Sequence, residues 1–144
     1  MREILFRGKR KDTGKIVFGY LFMAENARKE KKPYIWLEHG ESVEVIPETV
    51  GQFTGLTDKN GEKVFEGDIV CLRYASGEIC CRGDIQFDCG VFGAEWVVNK
   101  KYKYMVGSFG QNHNLRRLDD DIINEIEVIG NIHDNPELLK EQEE

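Results

Sequence analysis

No apolar run in the chain approaches the roughly 20 residues that a membrane-spanning helix needs. The opening MREILFRGKRK likewise lacks the apolar core of a secretory leader. Both absences point to a cytoplasmic protein that makes no use of a membrane. The four cysteines, Cys71, Cys80, Cys81 and Cys89, form no CxxC knuckle. Cys80 and Cys81 would face opposite sides of a strand, so buried thiols in a reducing compartment are expected rather than a metal site. No GxxxxGK or GxGxxG loop is present to cradle a phosphate, and no GxSxG to present a nucleophile. The three histidines, His39, His113 and His133, stand apart from one another and from any such pattern. These absences lead to the expectation of a non-enzyme with no cofactor.

What is present is an ordinary globular composition. Over 144 residues, 40% are hydrophobic and 32% charged, which excludes wholesale disorder and allows one domain with a core of its own. The net charge of −6 is unevenly placed. Residues 1–33 carry ten Lys/Arg against four Asp/Glu, a net +6, whereas residues 118–144 carry one Lys against ten acids, a net −9. A basic arm of that kind can bind nucleic acid. The plainer reading is that the two ends neutralise one another, within the fold or between subunits, and a homo-oligomer is expected on that ground and on the open edges of a β meander.

The organising stretch is VIPETVGQFTGLTDKNGEKVFEGDIV, residues 45–70. Pro47 fixes its own φ and biases Ile46 towards extended geometry, so a chain bend is expected there, and Thr49, Val50, Gln52, Phe53 and Thr54 have strand propensity. Asp58-Lys59-Asn60-Gly61 is the strongest turn signal, and Glu66-Gly67-Asp68 reads as a corner into another strand. Before it, Ile4–Arg10 and Lys15–Phe22 form a hairpin across Asp12-Thr13-Gly14, and Tyr34–Glu38 and Ser42–Ile46 a second one. The charged segment 23–33 reads as a mobile loop, or at most one helical turn. After it, strands are expected at 69–74, 78–87, 91–98, 102–106 and 126–132, with 107–117 an irregular loop. Short helices are expected at 119–125 and after Asn135-Pro136. The pattern is mostly β, a β-rich α+β chain built of hairpins around a small SH3-like or barrel-like sheet, with one or two short C-terminal helices. A tripeptide Gly-Asp/Asn-Ile recurs at 67–69, 83–85 and 130–132, for which a repeated strand-entry turn is sufficient reason.

Three segments in this order, FRGKRKDTGKIVFGYL (6–21), residues 45–70 and EVIGNIHDNPELL (127–139), resemble the YopX family of phage and prophage proteins. The resemblance implies one domain over 1–144, here subdivided as an N-terminal β lobe at 1–58 and a barrel lobe at 59–140. It also implies an accessory protein acting in the cytoplasm of a bacterial host on a host or phage macromolecule. It brings no catalytic residues to carry over, and residues 71–126 hold no matching motif.

Two constellations could carry chemistry. Trp96, Tyr102 and Tyr104 are interleaved with Lys100, Lys101, Lys103, Arg116 and Arg117, with Trp36 and Phe109 as further rings. His113 lies in the polar run Gln111–Asn114. Such mixtures stack bases and hold phosphates, although alternation alone would also send the aromatics to the core and the lysines to water. Glu66, Asp68, Asp84 and Asp88 could bind a divalent cation and support hydrolysis, but acids are common at strand ends for backbone reasons. Arg82-Gly83-Asp84 spells an adhesion tripeptide, a chance match in a strand. The functional readings are therefore a non-enzymatic binding protein, a nucleic-acid-binding module using 96–117 or the basic arm, and a metal-dependent hydrolase on the acidic turns.

Overall fold

The computed structural model describes residues 3–88, 91–98, 115–117 and 126–140; for Cys80, Asp88, Val91, 95–98 and 115–117 it describes the backbone only. The chain is β-rich with two antiparallel sheets, and it divides into two compact units, 1–55 and 56–144.

The first unit holds β1 (Phe6–Lys9), β2 (Ile16–Glu25), β3 (Lys31–Trp36), β4 (Ser42–Glu44) and most of β5 (Gly51–Thr57), in the spatial order β4-β3-β2-β1-β5. Beyond Lys9 the chain turns back to the far strand. Arg10 bridges Val45, Lys11 N–H donates to Glu44 O at 3.0 Å, and Ile46 N–H to Lys9 O at 2.9 Å. These bonds close the first four strands into a small barrel and cover the outer edge of β4. Alternation along β2 sends Val17 and Leu21 inward, where they pack with Leu37 and Val50 against buried Ile35, Val43 and Val45. So tight a ring needs small inward residues. A methyl group on Gly8 would press on Val45 and Ile35, and one on Gly19 would run into the Trp36 backbone carbonyl.

Two sequence expectations change here. The charged segment 23–33 is not a loop: β2 continues to Glu25 and β3 begins at Lys31, paired residue for residue from Met23↔Pro33 to Glu25↔Lys31. The turn is built by Asn26, whose Oδ1 accepts from Arg28 and Glu30 N–H at 2.9 and 3.0 Å. The strand after Pro47 starts later than its propensities suggest: the bend that Pro47 marks is a 3-10 turn, Pro47–Thr49, with Ile46 extended, and β5 begins only at Gly51. Thr49 Oγ1 accepts the Lys9 N–H at 2.9 Å and donates to Ile46 O, fastening the turn to β1.

The second unit begins within β5 and continues with β6 (Lys63–Phe65), β7 (Asp68–Arg73), β8 (Ile79–Asp88), β9 (Val91–Val98), β10 (Leu115–Arg117) and β11 (Glu127–Asn131). Its sheet runs β10-β9-β8-β7-β11, and a 3-10 turn, Pro136–Leu139, follows. Val64, Val70, Cys81, Ile85, Ala94 and Ile126 are buried together, with Leu56, Leu72, Phe92 and Val128 against them. The three Gly-Asx-Ile tripeptides lie side by side. Ile69 is opposite both Asp84 and Gly130, Gly67 N–H donates to Ile85 O at 2.9 Å, and Gly67 O accepts from Ile132 N–H at 2.9 Å. Residues 115–117 form a strand rather than part of an irregular loop, because they pair with Gly93–Glu95. The strand expected at 102–106 and the helix expected at 119–125 lie outside the described residues.

Apolar enough to read as an inner strand, β11 stands at the sheet edge among the described residues, paired there with β7. Its outer side is covered by the β5–β6 hairpin turn. The buried Asp58 carboxylate accepts Asn60 and Glu62 N–H on Oδ1 and Val128 N–H on Oδ2, each at 2.9 Å, while Lys59 N–H donates to Ile126 O at 3.2 Å. The turn itself has Gly61 at φ 83°, so Gly61→Val should destabilise by about 1–2 kcal/mol through left-handed strain. An unshifted denaturation midpoint would contradict this.

Candidate functional site: an aromatic outer face

Residues of β2 that do not fill the barrel are themselves apolar. Ile16, Phe18, Tyr20 and Phe22 share its outer face by alternation, and the register sets Trp36 beside Tyr20 and Tyr34 beside Phe22. Phe22 stacks on Tyr34 with ring centroids 5.5 Å apart and meets Trp36 at 6.0 Å. The outer three rings stay in water: Phe18 is 49% exposed, Tyr20 67% and Trp36 49%. On the β4 side of this group of rings, two cations meet at one carboxylate. Lys32 on β3 and Lys11 beyond β1 both reach Glu44, at 3.6 and 3.3 Å. Arg10 holds Asp12 at 3.0 Å, and that bond keeps the Asp12 carboxyl below the usual carboxylate range. Beside them an open cleft of about 380 Å³ is lined by Arg10, Lys11, Asp12 and Glu41–Glu44. Its acids Asp12 and Glu44 are already engaged by its bases, which leaves little to hold a small charged ligand.

The expected aromatic–basic site is only partly placed. Trp96 lies on β9 and Arg116 and Arg117 on β10, strands that pair with Arg116 opposite Ala94. Lys100, Lys101, Tyr102, Lys103, Tyr104 and His113 lie outside the described residues. Trp36 joins the outer face of the barrel. The face was missed because its strand looks like a plain core strand. The available signal was that Ile16–Met23 is apolar at successive positions, on both faces, in a strand whose barrel can bury only one.

Two of the four acids of the expected cluster have structural partners. Asp68 is buried, and its Oδ2 accepts the Phe65 N–H at 2.8 Å to fix the Glu66-Gly67 corner, whereas Asp84 accepts from Gln86 Nε2 at 3.0 Å. Among the described residues no three His, Cys, Asp or Glu side chains converge as metal ligands. His39 sits at an exposed turn, 3.1 Å from Glu41.

A second polar group joins β7 to β11. Arg73 Nε donates to Glu127 Oε2 at 2.8 Å and its Nη1 to Gly77 O at 2.9 Å, and the Cys71 thiol lies 3.7 Å from the same carboxylate oxygen. Burial pushes the Cys71 thiol up, which suits a structural rather than a nucleophilic cysteine. Hydrogen bonding to Arg73 holds Glu127 below its ordinary range. A depressed carboxyl adds stability above its unfolded pKa, and that stability is lost as pH falls through the folded value. The difference in denaturation midpoint between wild type and Glu127→Gln should therefore shrink from pH 7 to pH 3; a constant difference would rule out the pairing.

A closed antiparallel barrel with exposed rings on its outer face, followed by a five-stranded sheet, defines a small all-β protein. A family model described as YopX protein matches residues 5–140, and the chain belongs to the YopX family. It is similar in fold to protein EF1440 from Enterococcus faecalis, at 22% identity and TM-score 0.57, and to protein yopX from Bacillus subtilis, at 16% and 0.52. Both likenesses cover 97% of this chain and 100% of the other. No curated protein matches the chain. No helix among the described residues is long and apolar enough to cross a membrane.

Proposed function

We propose that this is a phage-derived accessory protein of the host cytoplasm that works by binding a macromolecule rather than by catalysis, and that the outer face of the N-terminal barrel is its docking surface. One observation carries the reading. Of the seven exposed large apolar side chains among the described residues, six lie between Ile4 and Trp36. Single apolar residues on a surface are ordinary, but aromatic ones gathered on one sheet face mark an interaction site. The test is parallel capture from bacterial cells with the tagged wild type and with Tyr20→Ser/Trp36→Ser, both protein and nucleic acid being measured in the eluate. A macromolecule held by the wild type and lost by the variant is expected. Identical eluates would overturn the reading.

A further inference from the structure

We propose that the occupant of this face is single-stranded nucleic acid, its bases stacked on Tyr20, Trp36 and Phe18 and its phosphates held by the surrounding lysines and arginines; the inference rests on the reading of the face as a docking surface. Three observations converge on that chemistry.

The first is the kind of residue exposed. Here β2 and β3 hold out three rings, each with a face that any base can stack on. Behind them Phe22 and Tyr34 stack on one another, and Phe22 also touches Trp36, which limits the rotation of that ring. A ring already held in place loses little freedom when a base settles on it.

Spacing is the second. Neighbours on one face of a strand, such as Phe18 and Tyr20, are separated by two residues, about 6.6 Å. That is roughly twice the ~3.4 Å rise of a stacked nucleotide strand. Consecutive bases reach consecutive rings only when the strand is extended and its own stacking opened. A duplex cannot do this, so the face selects single strands.

Charge is the third. The chain as a whole is acidic and would repel phosphate, but its N-terminal unit, residues 1–55, carries ten Lys/Arg against eight Asp/Glu, a net +2. Residues 1–33, which supply β1, β2 and the start of β3, carry a net +6. Lys11 and Lys32 meet on the β4 side of the rings at one carboxylate, Glu44, which balances only one of the two. Lys15 precedes Ile16 at the end of the ringed strand, and Lys31 opens β3. Basic side chains bordering exposed rings on a small barrel are the arrangement by which single strands are bound without sequence preference.

The experiment is fluorescence anisotropy of labelled dT12, and of a 12-base-pair duplex, with the full chain at 50 and 300 mM NaCl. Micromolar binding of dT12 is expected, weaker at the higher salt and at least tenfold weaker for the duplex. Tyr20→Ala/Trp36→Ala, with its fold checked by circular dichroism, should lose at least tenfold in affinity, while Tyr20→Phe/Trp36→Phe should bind within about threefold of wild type. Absence of dT12 binding at 100 µM protein in 50 mM NaCl overturns the proposal, as does full affinity in the alanine variant. Affinity lost instead in Arg116→Ala/Arg117→Ala, with the alanine ring variant unaffected, overturns it in favour of the β9–β10 region. Light scattering separates this inference from the reading beneath it. A dimer that the ring variant abolishes, with no dT12 bound, overturns the nucleic-acid assignment and keeps the face as a docking surface. A monomer that binds no dT12, with unchanged capture, overturns both.

Discussion

Asp58→Ala is expected to lower the unfolding free energy by about 3 kcal/mol, although the residue lies in a turn. Its carboxylate accepts three backbone N–H groups, two within the turn and the third from Val128 on β11. Alanine leaves all three without that acceptor, and the site is buried, so water cannot fully replace it. Each buried donor left unsatisfied costs about 1–3 kcal/mol, and some turn opening to solvent reduces the sum. Asp58→Asn separates the contributions, because it keeps one acceptor oxygen and sets an amide N–H against whichever donor faces the other position. It should fall between wild type and alanine. Urea denaturation gives the free energies, and amide exchange at Val128 should speed up in both variants. A midpoint shift under 0.5 kcal/mol for alanine would mean that the turn does not clasp β11.

Gly19→Ala is expected to destabilise the N-terminal barrel by about 2–3 kcal/mol, from one added methyl group. The new Cβ would meet the Trp36 backbone carbonyl, which, unlike a flexible side chain, cannot swing aside. Relief requires β2 and β3 to separate locally where their ladder begins, at Tyr20 and Trp36. Gly8→Ala is the milder comparison, since its neighbours Val45 and Ile35 offer side-chain atoms at 3.1–3.3 Å. Thermal unfolding of the two variants should rank Gly19→Ala well below Gly8→Ala. Equal melting temperatures would show that the barrel is slacker than its geometry implies.

Local chemistry made much of this fold legible. Asn60-Gly61 marked its turn because a left-handed residue is hard to replace, and Pro47 marked its bend because proline restricts the residue before it. The strands around Glu25 and Lys31 were hidden by their charges. They lie at the end of the β2–β3 ladder, where solvent accepts a charged side chain and the backbone pairing continues regardless. The edge position of β11 had no local signature at all. What permits an apolar strand there is a carboxylate 70 residues earlier. The candidate site was half legible for a similar reason. A mixture of rings and lysines was visible at 96–117, but Phe18 and Tyr20 sat in a run whose apolar residues could all have been core. Only closure of the barrel through Arg10 and Val45 decides which of them face outward.

The clasp between Asp58 and Val128 also sets an order of events during synthesis. A ribosome delivers the N-terminal barrel early, since everything it needs is made by residue 55. The second sheet has no such independence. Until residues 126–131 leave the exit tunnel, the flank of β7 along Ile69, Val70 and Cys71 has no partner strand, and the Asp58 carboxylate still faces water. Pairing over so long a sequence separation is slow to nucleate, and the interval exposes an apolar strand edge to other nascent chains. A message truncated before codon 126 would make that interval permanent, yielding a polypeptide with a finished barrel attached to an aggregating half-sheet.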